Sequence, residues 1–429
     1  VYFLYNIALY AGFLILSPRF VYDAITKGKY AAGFKERLGH VPALEGSGRQ
    51  VVLLHCVSVG ETNAALPLAR KLKARFPDIA LVISTTTKTG QQVARDAYAG
   101  IADLIVYFPF DFNWAVKRFL INIKPDLVLL TETELWFNFI RRSAEANVGL
   151  VIVNGRLSKR SFSRYSRIKG LMKRVLADLD LALMQGDADA RRFIALGASE
   201  GKVKVTGNLK FDIDVASAID LTGEFRDRFG LGGDVPLILA ASTHSPEEEA
   251  LLDAVGGIDT VDRPRLMLVP RHPERFDEVA SVVSRSGRSF ARRSAPRSAM
   301  DATADVILLD SIGELKSAYP LADVVFVGGS LIPHGGQSIF EPAAAGKAIV
   351  TGPYTANFDA AVKEFLSRDA LIQLPDASTA SLVAALGELL ADPERRRSLG
   401  EHALDVMTAN RGAVDRTVDE LTALLTSVD

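Results

Sequence analysis

Val51-Val52-Leu53-Leu54-His55-Cys56-Val57-Ser58-Val59-Gly60-Glu61-Thr62-Asn63 is the stretch on which the fold turns. The apolar run Val51–Leu54 reads as a buried strand, and the run from Ala64 to Phe76 reads as a helix. Between them lies a small, Gly-containing turn that carries one carboxylate, Glu61. In an α/β sheet such a turn sits at the carboxyl edge, where ligands bind. Glu61 is therefore a candidate general base. The same position also suits a carboxylate that does no more than complement the helix dipole, and this turn alone does not choose between the two.

Outward from this unit, short apolar runs alternate with helical patterns. Strands are predicted at Val51–His55, Ala80–Thr85, Leu104–Phe108, Leu127–Glu132, Gly149–Asn154, Leu179–Gln185 and Val203–Gly207. A polar, Gly-rich stretch, Asp212–Gly233, follows. A second alternation has strands at Pro236–Ala241, Leu266–Val269, Val306–Leu309, Val324–Val327 and Ala348–Thr351. The chain closes on two helical patterns, Ser381–Leu390 and Pro393–Ser427. This is the signature of parallel sheets with helices on both faces. The boundaries predicted are 1–45 for an N-terminal segment, 46–216 for a first Rossmann-like domain after the linker Glu45-Gly46-Ser47-Gly48, and 217–429 for a second. Two such domains facing a cleft occur in nucleotide-sugar glycosyltransferases, in epimerases and in periplasmic binding proteins, so fold alone does not fix function.

A length of 429 residues suits two domains, and 48% hydrophobic with 24% charged residues is ordinary globular composition. A net charge of −1 excludes a polyanion binder as a whole. The single cysteine, Cys56, excludes an internal disulfide. The six histidines have no metal-ligand spacing, and no structural metal is expected.

Val1–Pro18 carries no charge and is rich in Phe, Tyr, Leu and Ile, with Arg19, Lys27, Lys29, Lys35 and Arg37 after it. No positive charge precedes it and no small-residue cleavage site follows, so it is not a signal peptide. It reads as an uncleaved membrane anchor or a helix embedded in the interface, with the bulk of the chain on the cytoplasmic side. A buried helix of the first domain is the alternative.

Several strand ends carry chemistry. Gly328-Gly329-Ser330 follows a strand and leads to His334-Gly335-Gly336-Gln337-Ser338 and Glu341. Glycines let backbone N–H groups approach an anion. Glu341 stands three residues after Ser338, as in a capping box, and is also placed to accept from a ribose diol. There is neither GxxxxGK[ST] nor an early GxGxxG, which points to a nucleoside mono- or diphosphate leaving group. Arg271, in Val269-Pro270-Arg271-His272-Pro273, could meet a phosphate bidentately or form a surface ion pair. Ser242 and Thr243 could face a ligand, and Ser245 is a candidate N-cap. In Thr131-Glu132-Thr133-Glu134-Leu135-Trp136 the two glutamates point the same way if the strand continues; otherwise Glu134 opens a helix. Asn208 and Lys210 fall at the hinge. Between Arg156 and Arg174 lie eight basic residues and no acid, interleaved with Phe162, Tyr165, Ile168, Leu171 and Met172. Such a face fits an anionic membrane or phosphorylated lipid, with nucleic acid as the other usual partner and a solvated helix face as the plain one.

Taken together, HCVSVGETNAALPL, TETELW, NGRLSKRSFSRY, GNLKFD, ASTHSPEE, LVPRHPERF and GGSLIPHGGQSIFEPAAAGKAIVTGPYTANF resemble, in order, the 3-deoxy-D-manno-octulosonic acid (Kdo) transferases of lipopolysaccharide synthesis. The resemblance runs from about residue 20 to residue 360. It implies a GT-B fold with an N-terminal membrane-associated helix, CMP-Kdo as donor, a lipid A precursor as acceptor, and residence at the cytoplasmic face of the inner membrane. It implies inversion, with Glu61 as general base and with Glu132 and Lys210 supporting the transition state. It implies that CMP is held by Pro270 and Arg271, by Ile312, Gly313 and Glu314, and by the turn Ser338, Ile339, Phe340 and Glu341. Ser338 replaces an Asn common in the family, and Phe137 a Pro. No cofactor, no metal and no nucleic-acid partner are expected. The competing readings are a sugar-nucleotide 2-epimerase and a non-catalytic anionic-lipid-binding protein.

Overall fold

The computed structural model describes residues 2–27, 32–44, 48–212, 220–259 and 263–426. The expected linker at Glu45–Ser47, the expected boundary near residue 216 and Lys29 lie outside them. Two compact units are present, one of residues 1–212 with 410–429, the other of residues 213–409.

The first unit is built on β1 (Val51–Cys56), β2 (Ala80–Thr85), β3 (Leu104–Tyr107), β4 (Leu127–Thr131), β5 (Gly149–Gly155), β6 (Leu181–Met184) and β7 (Val203–Val205). All pairings are parallel, in the order β3-β2-β1-β4-β5-β6-β7. Strand β1 is apolar because both of its faces are covered. Val51 and Leu53 enter one buried cluster, while Val52, Leu54 and Cys56 enter the other. The order reverses between β1 and β4, so the loops after these two strands flank the switch point where α/β sheets bind ligands.

The second unit repeats the plan with β8 (Leu237–Thr243), β9 (Arg265–Pro270), β10 (Phe290–Arg292), β11 (Val306–Leu308), β12 (Val324–Val327), β13 (Ala348–Thr351) and β14 (Ile372–Gln373). Its parallel order is β10-β11-β9-β8-β12-β13-β14, with the switch point at β8 and β12. Strands β10 and β14, three and two residues long, were not among the strands expected from sequence. The expected α/β architecture is the observed one.

The chain end differs from the expected assignment to the second domain. The helix Ala413–Thr426 belongs to the first unit. Its stripe Val414, Val418, Leu421 and Leu425 joins the buried cluster of Leu68 and Leu72 on the helix Val59–Arg75. A fully buried Leu contributes roughly 2 kcal/mol, and this apolar stripe finds its surface there. Asp212 fixes the entry by accepting from Gly412 N (2.7 Å) and Val414 N (2.6 Å).

The N-terminal helix Tyr2–Lys27 docks one face on the first unit. Tyr5 donates to Asp111 at 2.7 Å, Asn138 donates to Asn6 at 2.8 Å, and Tyr10 stacks on Phe112. The other face leaves Phe3, Ile7, Leu14 and Ile15 exposed. Among the described residues no helix is long and apolar enough to cross a membrane. Part of the segment expected to be an anchor packs as domain structure.

Candidate active site

Glu61 lies in the first turn of the helix Val59–Arg75, whose N-cap is Ser58. Its side chain folds back over the end of β1. Oε2 accepts from Val57 N at 2.9 Å and from Thr131 Oγ1 at 2.6 Å; Oε1 accepts from Ser58 Oγ at 2.8 Å. Only 7% of Glu61 is exposed. Burial raises its pKa above the usual carboxylate value; the bonds from Thr131 and Val57 oppose the rise and the charge of Glu132 adds to it. The Thr131 hydroxyl also lies 2.8 Å from His55 O. It has one proton to give, so its rotation accommodates both states of Glu61: it donates to the carboxylate, or it donates to His55 and accepts from the acid. A Cβ on Gly60 would meet Ser58 Oγ at 3.8 Å, an ordinary contact, so packing within the protein does not demand glycine there.

The TETELW stretch takes neither of the shapes expected from sequence. Strand β4 ends at Thr131, Glu132 is left-handed (φ 53°), and the next helix begins only at Phe137. The glutamates therefore occupy a turn, held by Glu132 N donating to Val153 O at 2.9 Å. Glu132 Oε1 receives Lys210 Nζ at 3.1 Å. Asn208, through Oδ1, caps Lys210 N at 3.0 Å, and Asn154 Oδ1 holds Leu209 N at 3.0 Å. Lys210 is thus an ordered ion-pair partner rather than a solvated linker lysine. Glu134 sits in the field of Glu61 and Glu132; burial, then those two charges, push its pKa up to about 7. The fold brings Glu61, Glu132 and Lys210 to one sheet edge, and adds Ser58, Thr131 and Glu134, which the sequence reading did not assign to chemistry.

In the basic run, seven of the eight cations are exposed: Lys159, Arg160, Arg164, Lys169, Lys173 and Arg174 on the helices Lys159–Ser166 and Lys169–Ala177, and Arg167 between them. Phe162, Tyr165 and Leu171 turn inward against the core. The interleaving therefore makes an amphipathic layer with a basic outer face.

In the second unit the expected donor residues also gather at the carboxyl edge. Pro270 ends β9; Arg271 is exposed and makes no ion pair among the described residues. After β11, Ile312 is 79% exposed. Glu314 is held by Arg293 (2.8 and 3.1 Å) and by Ser311 Oγ (2.6 Å). The Arg293 bond holds its carboxyl below the usual range. After β12, Ile339 and Phe340 are buried, so only their backbone can reach a ligand. Ser338 Oγ donates to Glu341 and accepts from Phe340 N, so the capping box does not form; the cap residue of the short helix Phe340–Ala344 is Ile339. Ser245 is not a cap either, since the helix Glu247–Gly257 is capped by Pro246 without a side-chain bond.

The Gly-rich turn is already filled. Glu247, buried, accepts from Gly329 N (2.7 Å), Ser330 N and Leu331 N (2.9 Å each), and also from His244 N (2.9 Å). Those N–H groups serve a protein carboxylate rather than an outside anion, which corrects the reading of Gly328–Ser330. Gly328 is required because a Cβ there would lie 2.6 Å from Ser242 O and 2.9 Å from Glu247 Oε2. Beyond the turn, His334, Tyr354, Thr355, Asn357 and Lys363 help line a cavity of 520 Å³. Glu247 was missed because nothing in a Pro-Glu-Glu-Glu helix start marks which carboxylate turns inward.

Two parallel α/β sheets, each with its candidate residues at its own switch point, define a GT-B-like fold. Among solved structures, a putative UDP-N-acetylglucosamine 2-epimerase from Listeria monocytogenes matches with a TM-score of 0.56 at 15% identity, covering 89% of this chain and 98% of that one, a likeness of fold alone. Sequence goes further. The family model described as 3-deoxy-D-manno-octulosonic-acid transferase (kdotransferase) matches residues 32–213. A 3-deoxy-D-manno-octulosonic acid transferase of Haemophilus influenzae is 34% identical over 400 residues, 93% of this chain and 92% of that protein. One of Bordetella pertussis is 36% identical over 380 residues, 86% of each. The chain belongs to the 3-deoxy-D-manno-octulosonic acid transferase family and is a glycosyltransferase.

Proposed function

We propose that this enzyme moves Kdo from CMP-Kdo to a lipid A precursor, releasing CMP and inverting the anomeric centre, with Glu61 as general base. The observation that carries the reading is the Glu61 network at the first sheet's switch point. Three protein donors fix the carboxylate, burial raises its proton affinity, and Thr131 tolerates its protonation. The acceptor hydroxyl gives its proton to Glu61 as its oxygen attacks the anomeric carbon, and the bond to CMP breaks on the opposite face. A positioned base contributes about 10²–10⁴-fold. Lys210, paired with Glu132, supports charge in the transition state. CMP is held by Pro270 and Arg271, by Ile312–Glu314 and by the Ser338–Glu341 turn. Arg271 has its guanidinium exposed and without an ion pair among the described residues, which suits a phosphate contact. The reaction proceeds without a metal or other cofactor, and nucleic acid is not a partner.

The protein works at the cytoplasmic face of the inner membrane. The exposed residues Phe3, Ile7 and Leu14 recur on one face of the N-terminal helix, and the basic face of 159–174 supplies cations for anionic lipid. The test is mass spectrometry of lipid after incubation with CMP-Kdo and a tetra-acylated lipid A precursor, with and without EDTA. Transfer of Kdo in both arms is expected. Turnover of the sugar nucleotide without lipid modification would favour an epimerase instead, and loss of transfer in EDTA alone would overturn metal independence.

A further inference from the structure

Three histidines meet at the switch point of the second sheet. His244 follows β8, His272 follows β9, and His334 lies in the turn after β12; the strand order makes these three loops neighbours. The ring centroid of His244 is 5.3 Å from that of His272 and 4.3 Å from that of His334. His244 is only 7% exposed. Its Nδ1 lies 3.2 Å from Ser242 O, and only a protonated Nδ1 can face a carbonyl. In the neutral ring Nε2 is then bare, and it is buried without a hydrogen-bond partner.

The carboxylates around His244 are spoken for. Glu247 spends its oxygens on four backbone N–H groups. Glu248 is gripped by Arg275 at 2.8 and 3.1 Å and by Thr243 Oγ1 at 2.8 Å. Arg271, on the same edge, is exposed and adds positive charge. The site is therefore rich in potential cations and offers Nε2 no acid of its own. We propose that His244, ringed by His272 and His334, is a proton-coupled seat for an anionic oxygen of the sugar-nucleotide donor, the ring taking up a proton at Nε2 when the anion arrives.

The electrostatics fit this cycle. Without an anion, burial first, then His334 and His272, hold the pKa of His244 down at about 4. An anionic oxygen at Nε2 favours the charged ring and reverses the sign of its surroundings. Linkage then requires that the anion bind more tightly to the protonated protein. The gain is complete below the free pKa and fades as pH rises through the raised pKa of the complex. The phosphate, a diester in CMP-Kdo and a monoester in released CMP, and the sugar carboxylate both present such an oxygen, and the inference rests on the reading that this unit holds CMP-Kdo.

The six histidines are few enough to follow individually by imidazole NMR in the full-length protein. His244 is titrated alone and then with CMP, with cytidine, with inorganic phosphate and with free Kdo. CMP should move its midpoint upward by at least about one unit, which is about tenfold tighter CMP binding to the protonated form, and cytidine should not. A shift with free Kdo but not with phosphate or CMP would assign the seat to the sugar carboxylate. His334→Gln should raise the midpoint of His244 in the ligand-free protein, because a neighbouring like charge is gone. His244→Gln should flatten the pH dependence of CMP affinity from about pH 4 up through the raised midpoint of the complex, measured by calorimetry. A His244 that stays neutral in saturating CMP, phosphate and Kdo overturns the seat. Failure of CMP to bind the wild type refutes the nucleotide assignment of this unit instead, and the phosphate titration still decides the seat.

Discussion

Replacing Glu61 by glutamine separates a base from a helix-capping carboxylate. The structure sets the expected cost to the fold. A glutamine oxygen in the place of Oε2 keeps the bonds from Val57 N and Thr131 Oγ1, and the amide can donate to Ser58 Oγ, which only has to turn its proton away. What is lost is a negative charge at a helix start, about 0.3–1 kcal/mol. Removing the strain of an ionised, buried carboxylate offsets part of it. The melting temperature should move by no more than about 2–4 °C. Chemistry has no such substitute, because an amide cannot take the proton of the acceptor hydroxyl. Transfer should fall at least about 10²-fold, about 2.7 kcal/mol of transition-state stabilisation. CMP affinity should change little, since the residues assigned to CMP belong to the other unit. The wild-type kcat/KM should fall as pH drops through a carboxyl pKa above the ordinary range, and the variant's residual rate should lose that limb. The assay is product mass spectrometry with CMP release, on one preparation whose melting and CMP binding are also measured. A folded Glu61→Gln protein with near-wild-type transfer refutes the reasoning, and Glu132 then becomes the first candidate.

Glu134→Gln should stabilise the protein at pH 8 by about 1–3 kcal/mol and change nothing near pH 4. A carboxyl whose folded pKa is pushed up to about 7 favours folding while protonated, and that contribution is lost as pH rises from the usual carboxylate range through about 7. Denaturant unfolding at the two pH values checks the sign. Arg271→Ala should weaken CMP binding by about 1.5–3 kcal/mol in calorimetry; unchanged affinity removes Arg271 from the site. Gly328→Ala forces a methyl to within 2.6 Å of Ser242 O and should lower the melting temperature while opening the Glu247 carboxylate to solvent exchange. Leu14→Glu with Ile15→Glu places charge on exposed positions of the N-terminal helix; sedimentation with anionic vesicles should drop and the melting curve should stay put, and undiminished sedimentation would assign the whole attachment to residues 159–174.

The sheet plan was legible because doubly covered parallel strands have to be largely apolar, as Val51–Leu54 and Val324–Val327 are. The short edge strands β10 and β14 of the second sheet left no such trace. The position of Glu61 was legible for a local reason, a strand, a turn and a helix in succession. Its partners were only half legible: Ser58 is near in sequence, whereas Thr131 comes from β4 and meets Glu61 only through the strand order. The same limit hid the histidines, whose proximity depends on β9, β8 and β12 lying side by side. Gly328–Ser330 was misread because an anion-ready turn does not announce whether its anion comes from the protein. The last helix was misassigned because an amphipathic stripe shows that a partner surface exists without saying which unit carries it.

That last helix also sets the order in which the chain can fold. The second unit is one continuous run, 213–409, whereas the first is interrupted and completed only by residues 410–429. During synthesis at about 5–20 residues per second, the helix that bears Glu61 waits some tens of seconds before Val418 and Leu421 exist to join Leu68 and Leu72 in their cluster. For that interval the nascent first half carries an uncovered apolar strip on the helix Val59–Arg75. The enzyme is therefore most vulnerable to aggregation, or most in need of a chaperone, before its first unit has received residues 410–429, and a nonsense mutation near residue 410 would leave a complete second unit attached to an unfinished first one.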